Sequence, residues 1–217
     1  MYVPATPLPA APLAPVGFAT TDPTVPTPVH TALKVRRFRA GHQLDVLDDH
    51  RTSIAGILTE GRHAGVADDL VDLQELGRHG WRTVARTRTR AGGRFRIDYS
   101  PRRLGSELVR LRFAGTPTQL SAHRRLGRLN VFRVVEASWY GGGGSLACGG
   151  WLSSGTMGVA NKTLPCGTLV TLRYAGRMVR VPVIDRGPYV AGREFDLTEA
   201  TKRALGFGGV GEVWSTS

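Results

Sequence analysis

The chain has 217 residues, 41% of them hydrophobic, with 29 Lys+Arg against 17 Asp+Glu and a net charge of +12. At roughly 100–200 residues per domain this allows one or two domains with a real core, and it excludes collagen, coiled coil and wholesale disorder. No apolar run approaches the roughly 18 residues of a membrane-spanning helix. Residues 1–33 carry a net charge of −1, residues 34–133 carry +11 and residues 134–217 carry +2, and the only lysines are Lys34, Lys162 and Lys202. The middle stretch therefore reads as arginine-rich strand faces in water, or as a surface for an anionic polymer. Specific nucleic-acid recognition has no helix-turn-helix, zinc-finger or aromatic stacking motif behind it.

Residues 1–32 form a Pro/Ala/Thr tract without periodicity and are expected to be a disordered linker. Met1 to Pro28 holds neither a basic n-region nor a continuous apolar h-region, so no export signal is visible within it. Residues 33–133 read as β. Phe95, Ile97 and Tyr99 alternate with polar residues, as do Val109, Leu111 and Phe113 with Arg110 and Arg112 between them, the period of half-buried strands. Ala91-Gly92-Gly93, Ser100-Pro101 and Ala114-Gly115 supply turns, and the spacing suggests an antiparallel sandwich. His42, His50, His63, His79 and His123 are scattered and form no ligand set.

From residue 134 to 217 the texture changes. Glycine is dense at 141–144, 149, 150, 155 and 158. Leu169–Tyr174 and Val179–Ile184 alternate about Ala175-Gly176, a hairpin. A helix is expected over Thr198–Leu205, capped by Thr198 or by the pair Asp196 and Glu199, with Gly206 at its C-terminal end. Cys148 and Cys166 have no neighbouring partners for a metal site. Their spacing reads as a disulfide and an oxidising compartment, the alternative being two buried free thiols.

Two resemblances follow from quoted motifs. Gly80–Ala85, Gly93-Arg94-Phe95 and Leu111–Gly115 resemble the strand and turn pattern of immunoglobulin-like or prealbumin-like modules of bacterial exported proteins, which implies a spacer or binding module at 33–133. Ala137–Gly141, Ala147-Cys148-Gly149, Gly158–Thr168, Val183–Tyr189 and Gly192–Thr198 resemble RlpA-like domains, related in fold to the first domain of expansins. The two-Cys form resembles the actinobacterial branch. The whole is expected to be all-β, a sandwich followed by a six-stranded double-psi β-barrel with one short helix.

The RlpA-like resemblance implies an extracytoplasmic protein acting on peptidoglycan glycan strands as a lytic transglycosylase, with no metal and no organic cofactor. Asp185 stands at the family's principal catalytic Asp, and cleavage needs such an acid to protonate the leaving oxygen. Its bland alternative is a cap on the Arg186-Gly187-Pro188 turn. Asp196 matches the carboxylate that expansins need, and the two share one groove in this reading. The family's His is Asn161 here, an amide that can hold a sugar hydroxyl but transfers no proton at neutral pH. The family's Glu falls near Gly150. Trp139, Tyr140, Trp151 and Tyr189 are candidates for stacking on sugar rings, or for core packing. Arg186 is a candidate contact to a substrate carboxylate, or a brace for Asp185. The partner is then glycan strands or another anionic wall polymer. A non-catalytic, expansin-like wall binder and a secreted protein-interaction module are the competing readings.

Overall fold

The computed structural model describes residues 27–35 and 44–217. Its first nine strands are β1 (Thr31–Val35), β2 (Leu44–Leu47), β3 (Thr52–Glu60), β4 (Ala64–Gly65), β5 (Leu70–Gly77), β6 (Gly80–Arg88), β7 (Arg94–Tyr99), β8 (Gly105–Phe113) and β9 (Ala122–Tyr140). After these come β10 (Gly144–Ser145), β11 (Trp151–Leu152), β12 (Val159–Ala160), β13 (Leu169–Tyr174), β14 (Arg177–Asp185), β15 (Arg193–Thr198), helix α1 (Glu199–Leu205) and β16 (Gly211–Ser215). The linker expectation for residues 1–26 lies outside the described residues. Among the described residues regular structure starts with β1 at Thr31, and Val29 already bridges to Gln119, so the described backbone is engaged before residue 33.

The N-terminal strands make two sheets. In one, β3 lies between β1 and β7, with β4 paired to its end; the other runs β6–β5–β8–β9–β2. The alternation read from the sequence is what joins them. Ile54, Leu58, Phe95 and Ile97 of the first sheet share one buried cluster with Leu73, Val109, Leu111, Phe113 and Leu129 of the second. The arginines between those positions point the other way, because successive side chains on a strand face opposite sides.

The C-terminal strands close a six-strand barrel, β9–β15–β12–β14–β13–β16 and back to β9. Val135, Ala137, Val159, Leu172, Val183, Phe195, Leu197 and Leu205 fill it. The β13–β14 hairpin turns at Ala175 (φ 46°) and Gly176 (φ 81°), the pair of left-handed residues that a tight two-residue turn demands. Helix α1 starts at Thr198, whose hydroxyl accepts from Thr201 N, and ends on left-handed Gly206. Thr198 therefore caps the helix, and Asp196 is left free for another role.

One strand belongs to both halves. β9 pairs with β8 up to Val131 and with β16 from Arg133, without a break at the 133/134 boundary. No glycine or proline stands between Gly127 and Gly141 to interrupt it. Side chains lock the junction. Phe132 packs 5.8 Å from Trp214, and Arg173 lies 4.9 Å over the Trp214 ring and 3.6 Å from Asp45. Among the described residues no helix is long and apolar enough to cross a membrane.

Candidate active site

The barrel registers bring together residues far apart in sequence. Asp185 at the end of β14 pairs with Ala160 on β12, Ala160 pairs with Asp196 on β15, and Asp196 pairs with Ser138 on β9. These four positions form one row across four strands. At about 4.8 Å per strand, the two acidic Cα atoms lie about 10 Å apart, with the methyl of Ala160 between them.

Each carboxylate is held by different means. Asp185 Oδ1 accepts backbone hydrogen bonds from Ala147 (2.9 Å) and Arg186 (2.8 Å), and its backbone carbonyl accepts from Asn161 N at 3.1 Å. Both side-chain bonds fall on Oδ1, and among the described residues no backbone donor reaches Oδ2. Ala147 is kept in place by its neighbour: Cys148 donates its amide to Ile184 O at 3.2 Å and is bridged to Cys166, with Cα atoms 5.6 Å apart. Asp196 Oδ1 accepts a hydrogen bond from the Ser138 hydroxyl.

Tyr140 stands two residues beyond Ser138 on β9, so alternation puts both on one face. Its hydroxyl is buried and approaches Asp185 without the geometry of a full hydrogen bond. Burial first, then the charges of Asp185 and Asp196, hold its phenol well above the ordinary tyrosine range. The two carboxylates thus converge electrostatically on one neutral hydroxyl. Gly187 closes the group. Its φ of +132° suits glycine, and a Cβ there would lie 3.8 Å from Asp196 Oδ2 and 3.9 Å from both the Ala160 Cβ and the Tyr189 ring.

A raised tyrosine pKa has a stability consequence. The unfolded phenol ionises near pH 10 and the folded one later, so the folded state holds the extra proton and loses stability as pH climbs past 10. Tyr99, raised by burial and by its bond to Glu75, acts in the same direction. Tyr140→Phe should leave the melting temperature at pH 7 unchanged or higher, since it removes a poorly bonded buried hydroxyl, and should flatten part of the alkaline decline. Melts at pH 7 and above pH 10 measure both effects. A steeper alkaline fall in the variant would contradict the assignment.

The remaining expected site residues fall into two groups. Asn161 is buried, and its amide is engaged by the protein: Oδ1 accepts from Thr163 N (3.0 Å) and Leu164 N (2.8 Å), while Nδ2 donates to Glu194 O at 3.1 Å. Arg186 donates to the carbonyls of Asn161 (3.0 Å) and Leu164 (2.9 Å), so it braces the 161–166 loop rather than the Asp185 carboxylate. The aromatic side chains are outward. Tyr189 is 83% exposed, Trp151 67% and Trp139 42%, and Lys202 Nζ sits 3.6 Å from the centre of the Trp139 ring. Trp214 is half-buried at the junction.

Asp185 and Asp196 lie at a partly exposed surface rather than in a deep cleft. A cleft of about 290 Å³ beside them is lined by Asn161, Lys162, Thr163 and Gly192–Glu194. Another, of about 1180 Å³, lies between the sheets of the N-terminal half near Arg82, Tyr99 and Leu104. Among the described residues no cluster of His, Cys, Asp and Glu is arranged to hold a metal ion. Sequence reading missed Ser138, Ala160 and the Ala147 amide. Ser138 was within reach, two residues before the candidate Tyr140 on one strand leading to the glycine run. The other two matter only through pairing across the barrel.

Comparison with known proteins converges on the same segment. The family model described as lytic transglycolase matches residues 133–214. A protein named "Probable endolytic peptidoglycan transglycosylase RlpA" from Aquifex aeolicus is 44% identical over 75 residues, 32% of this chain and 33% of its own length. One of the same name from Synechocystis sp. is 39% identical over 110 residues, 43% of this chain and 34% of its own. The chain thus spans about a third of the length of these relatives. Among solved structures, Streptomyces papain inhibitor aligns at 27% identity over 39% of this chain and 91% of its own, with a TM-score of 0.33. Residues 133–214 fold as a six-strand barrel and are similar to RlpA-like double-psi barrel domains.

Proposed function

We propose that the protein remodels the bacterial cell wall as a lytic transglycosylase on peptidoglycan glycan strands. The observation that carries the reading is the row Asp185–Ala160–Asp196–Ser138, with Tyr140 facing both carboxylates. Asp185, as the carboxylic acid, gives its proton to the glycosidic oxygen as the C1–O bond breaks. The sugar's own 6-hydroxyl oxygen then bonds to C1, and its proton returns to Asp185. No water is consumed, and one fragment ends in an anhydro ring. Asp196, steadied by Ser138, offers negative charge to the cationic sugar centre, and Tyr140 stays protonated and able to donate. The open surface suits a long strand, and Tyr189 and Trp151 offer apolar rings to pyranose faces. The Cys148–Cys166 bridge supports action outside the cytoplasm.

In the same reading the N-terminal module is immunoglobulin-like. Its first strand is split: β1 pairs with β3, while β2 runs parallel to the final strand β9, and β6–β5–β8–β9 form the facing sheet. A non-catalytic wall-glycan binder is the second reading, favoured by Asn161, whose amide transfers no proton at neutral pH and is engaged by its own loop. Product analysis separates them. Peptide-stripped glycan strands incubated with the protein should yield anhydro-ended fragments by mass spectrometry. Reducing ends would indicate hydrolysis instead, and strands bound but unbroken would leave the binder.

A further inference from the structure

The outward face of the β6–β5–β8–β9 sheet collects arginines around one carboxylate. The registers set Arg86, Asp72, Arg112 and His123 in one cross-strand row, and Thr83, Gln74, Arg110 and Arg125 in the next. Arg128 stands further along β9, opposite Leu108. Asp72 is buried and already shared, bonded by Arg86 Nε at 2.5 Å with Arg112 4.0 Å away. Arg110, Arg125 and Arg128 have no ion pair among the described residues.

Two features set this face apart from ordinary solvated arginines. Arg110 and Arg125 are direct cross-strand partners, and like charges in that position destabilise a sheet. Arg110 is also fixed in place: its Nε donates to Gln74 Oε1 at 2.9 Å, Gln74 donates to Thr83 at 3.1 Å, and its guanidinium lies 4.2 Å from the Trp81 ring centre. Burial, followed by the charges of Arg112 and Arg125, pulls the Arg110 pKa below its ordinary value. A repulsive and immobilised cation array gains its return from an anion placed against it.

We propose that this face docks a linear polyanion carrying repeating phosphodiester groups, one belonging to the wall matrix. Guanidinium forks match phosphate oxygens two at a time. The paired positions stand about 5 Å apart across neighbouring strands and repeat along the face, which suits a chain of anions better than a single one. Nucleic acid fits less well, because Arg110 occupies the Trp81 ring that would otherwise stack a base. β9 then serves as the link. It carries Arg125 at one end and, roughly 50 Å further along at 3.3 Å per residue, Tyr140 at the other. The polymer holds the module while the barrel works on neighbouring glycan.

The test uses the full chain and a poly(glycerol phosphate) oligomer in calorimetric titrations at low and at physiological salt. Wild-type protein should bind with a steep salt dependence. Arg110→Gln with Arg125→Gln should weaken binding by about tenfold or more, while the melting temperature holds or rises because the opposed charges are gone. Arg78→Gln with Arg102→Gln, the same charge loss placed in the inter-sheet cleft, should change affinity by no more than about twofold. Equal losses from both pairs would reduce the effect to net charge and overturn the proposal. So would an absence of binding at low salt, or tighter binding of a single-stranded oligonucleotide of equal charge. Asp185→Asn should bind the polymer like wild type, so the fate of this proposal and that of glycan cleavage are read separately.

Discussion

Asp185→Asn should lower the rate of anhydro-end formation by about 10²–10⁴-fold, the range over which a positioned acid–base group acts, and should leave the fold almost untouched. The structural part follows from the hydrogen bonds. Ala147 and Arg186 both donate to Oδ1, and the amide oxygen of Asn can accept the same two bonds. What is lost is the charge assistance in those bonds, about 1 kcal/mol or less, and the ability to pass a proton. Initial rates on peptide-stripped strands, with melts on the same preparations, measure both sides. Near wild-type rates from the variant would remove Asp185 from the chemistry. Lost activity with a collapsed melting temperature would return it to the role of a turn cap.

Cys148→Ser with Cys166→Ser should destabilise the protein by about 3 kcal/mol, the loop-closure value for a bridge of separation 18. Activity should fall below what the stability loss explains. Cys148 sits next to Ala147, whose amide holds Asp185, and Cys166 ends the loop that Arg186 braces through Asn161 and Leu164. The bridge therefore ties the two loops that flank the Asp185 carboxylate. Denaturant titration of oxidised wild type, reduced wild type and the double variant gives the stability term, and rates at a temperature where all three are folded give the second. Equal activity in the three forms would make the bridge a staple alone.

The parts of the fold that were legible in sequence are those set by neighbours in the chain. Period-two alternation placed Phe95, Ile97, Val109, Leu111 and Phe113 in the core, and all are buried. Ala175-Gly176 marked a hairpin because it separates two alternating runs and Gly176 accepts positive φ freely, and Thr198 with Gly206 bounded the helix by local capping chemistry. The fusion of the two halves was harder to see. A change of composition near residue 133 suggested a boundary, yet composition does not interrupt a strand. The lack of any breaker between Gly127 and Gly141 was the better guide, and β9 runs through.

The candidate site divides the same way. Asp185 and Asp196 were visible through the motifs around them, but their place in one row depends on β12 entering between β14 and β15, a register that no local pattern encodes. Ser138 reaches Asp196 across 58 residues of chain, and Ala147 reaches Asp185 across 38. The expectations for Asn161 and Arg186 concerned what such side chains can bind. The barrel engages both on backbone groups, because a loop carrying so many turn amides and carbonyls must satisfy them somewhere.

The most direct test of the central claim is to titrate peptide-free glycan strands into isotopically labelled Asp185→Asn protein and follow backbone amide resonances. Saturable shifts are expected at Ala147, Arg186, Gly187, Asp196 and Ser138, the positions around the two carboxylates. Shifts confined to the inter-sheet cleft around Arg82 and Leu104, with the barrel row silent, would contradict it.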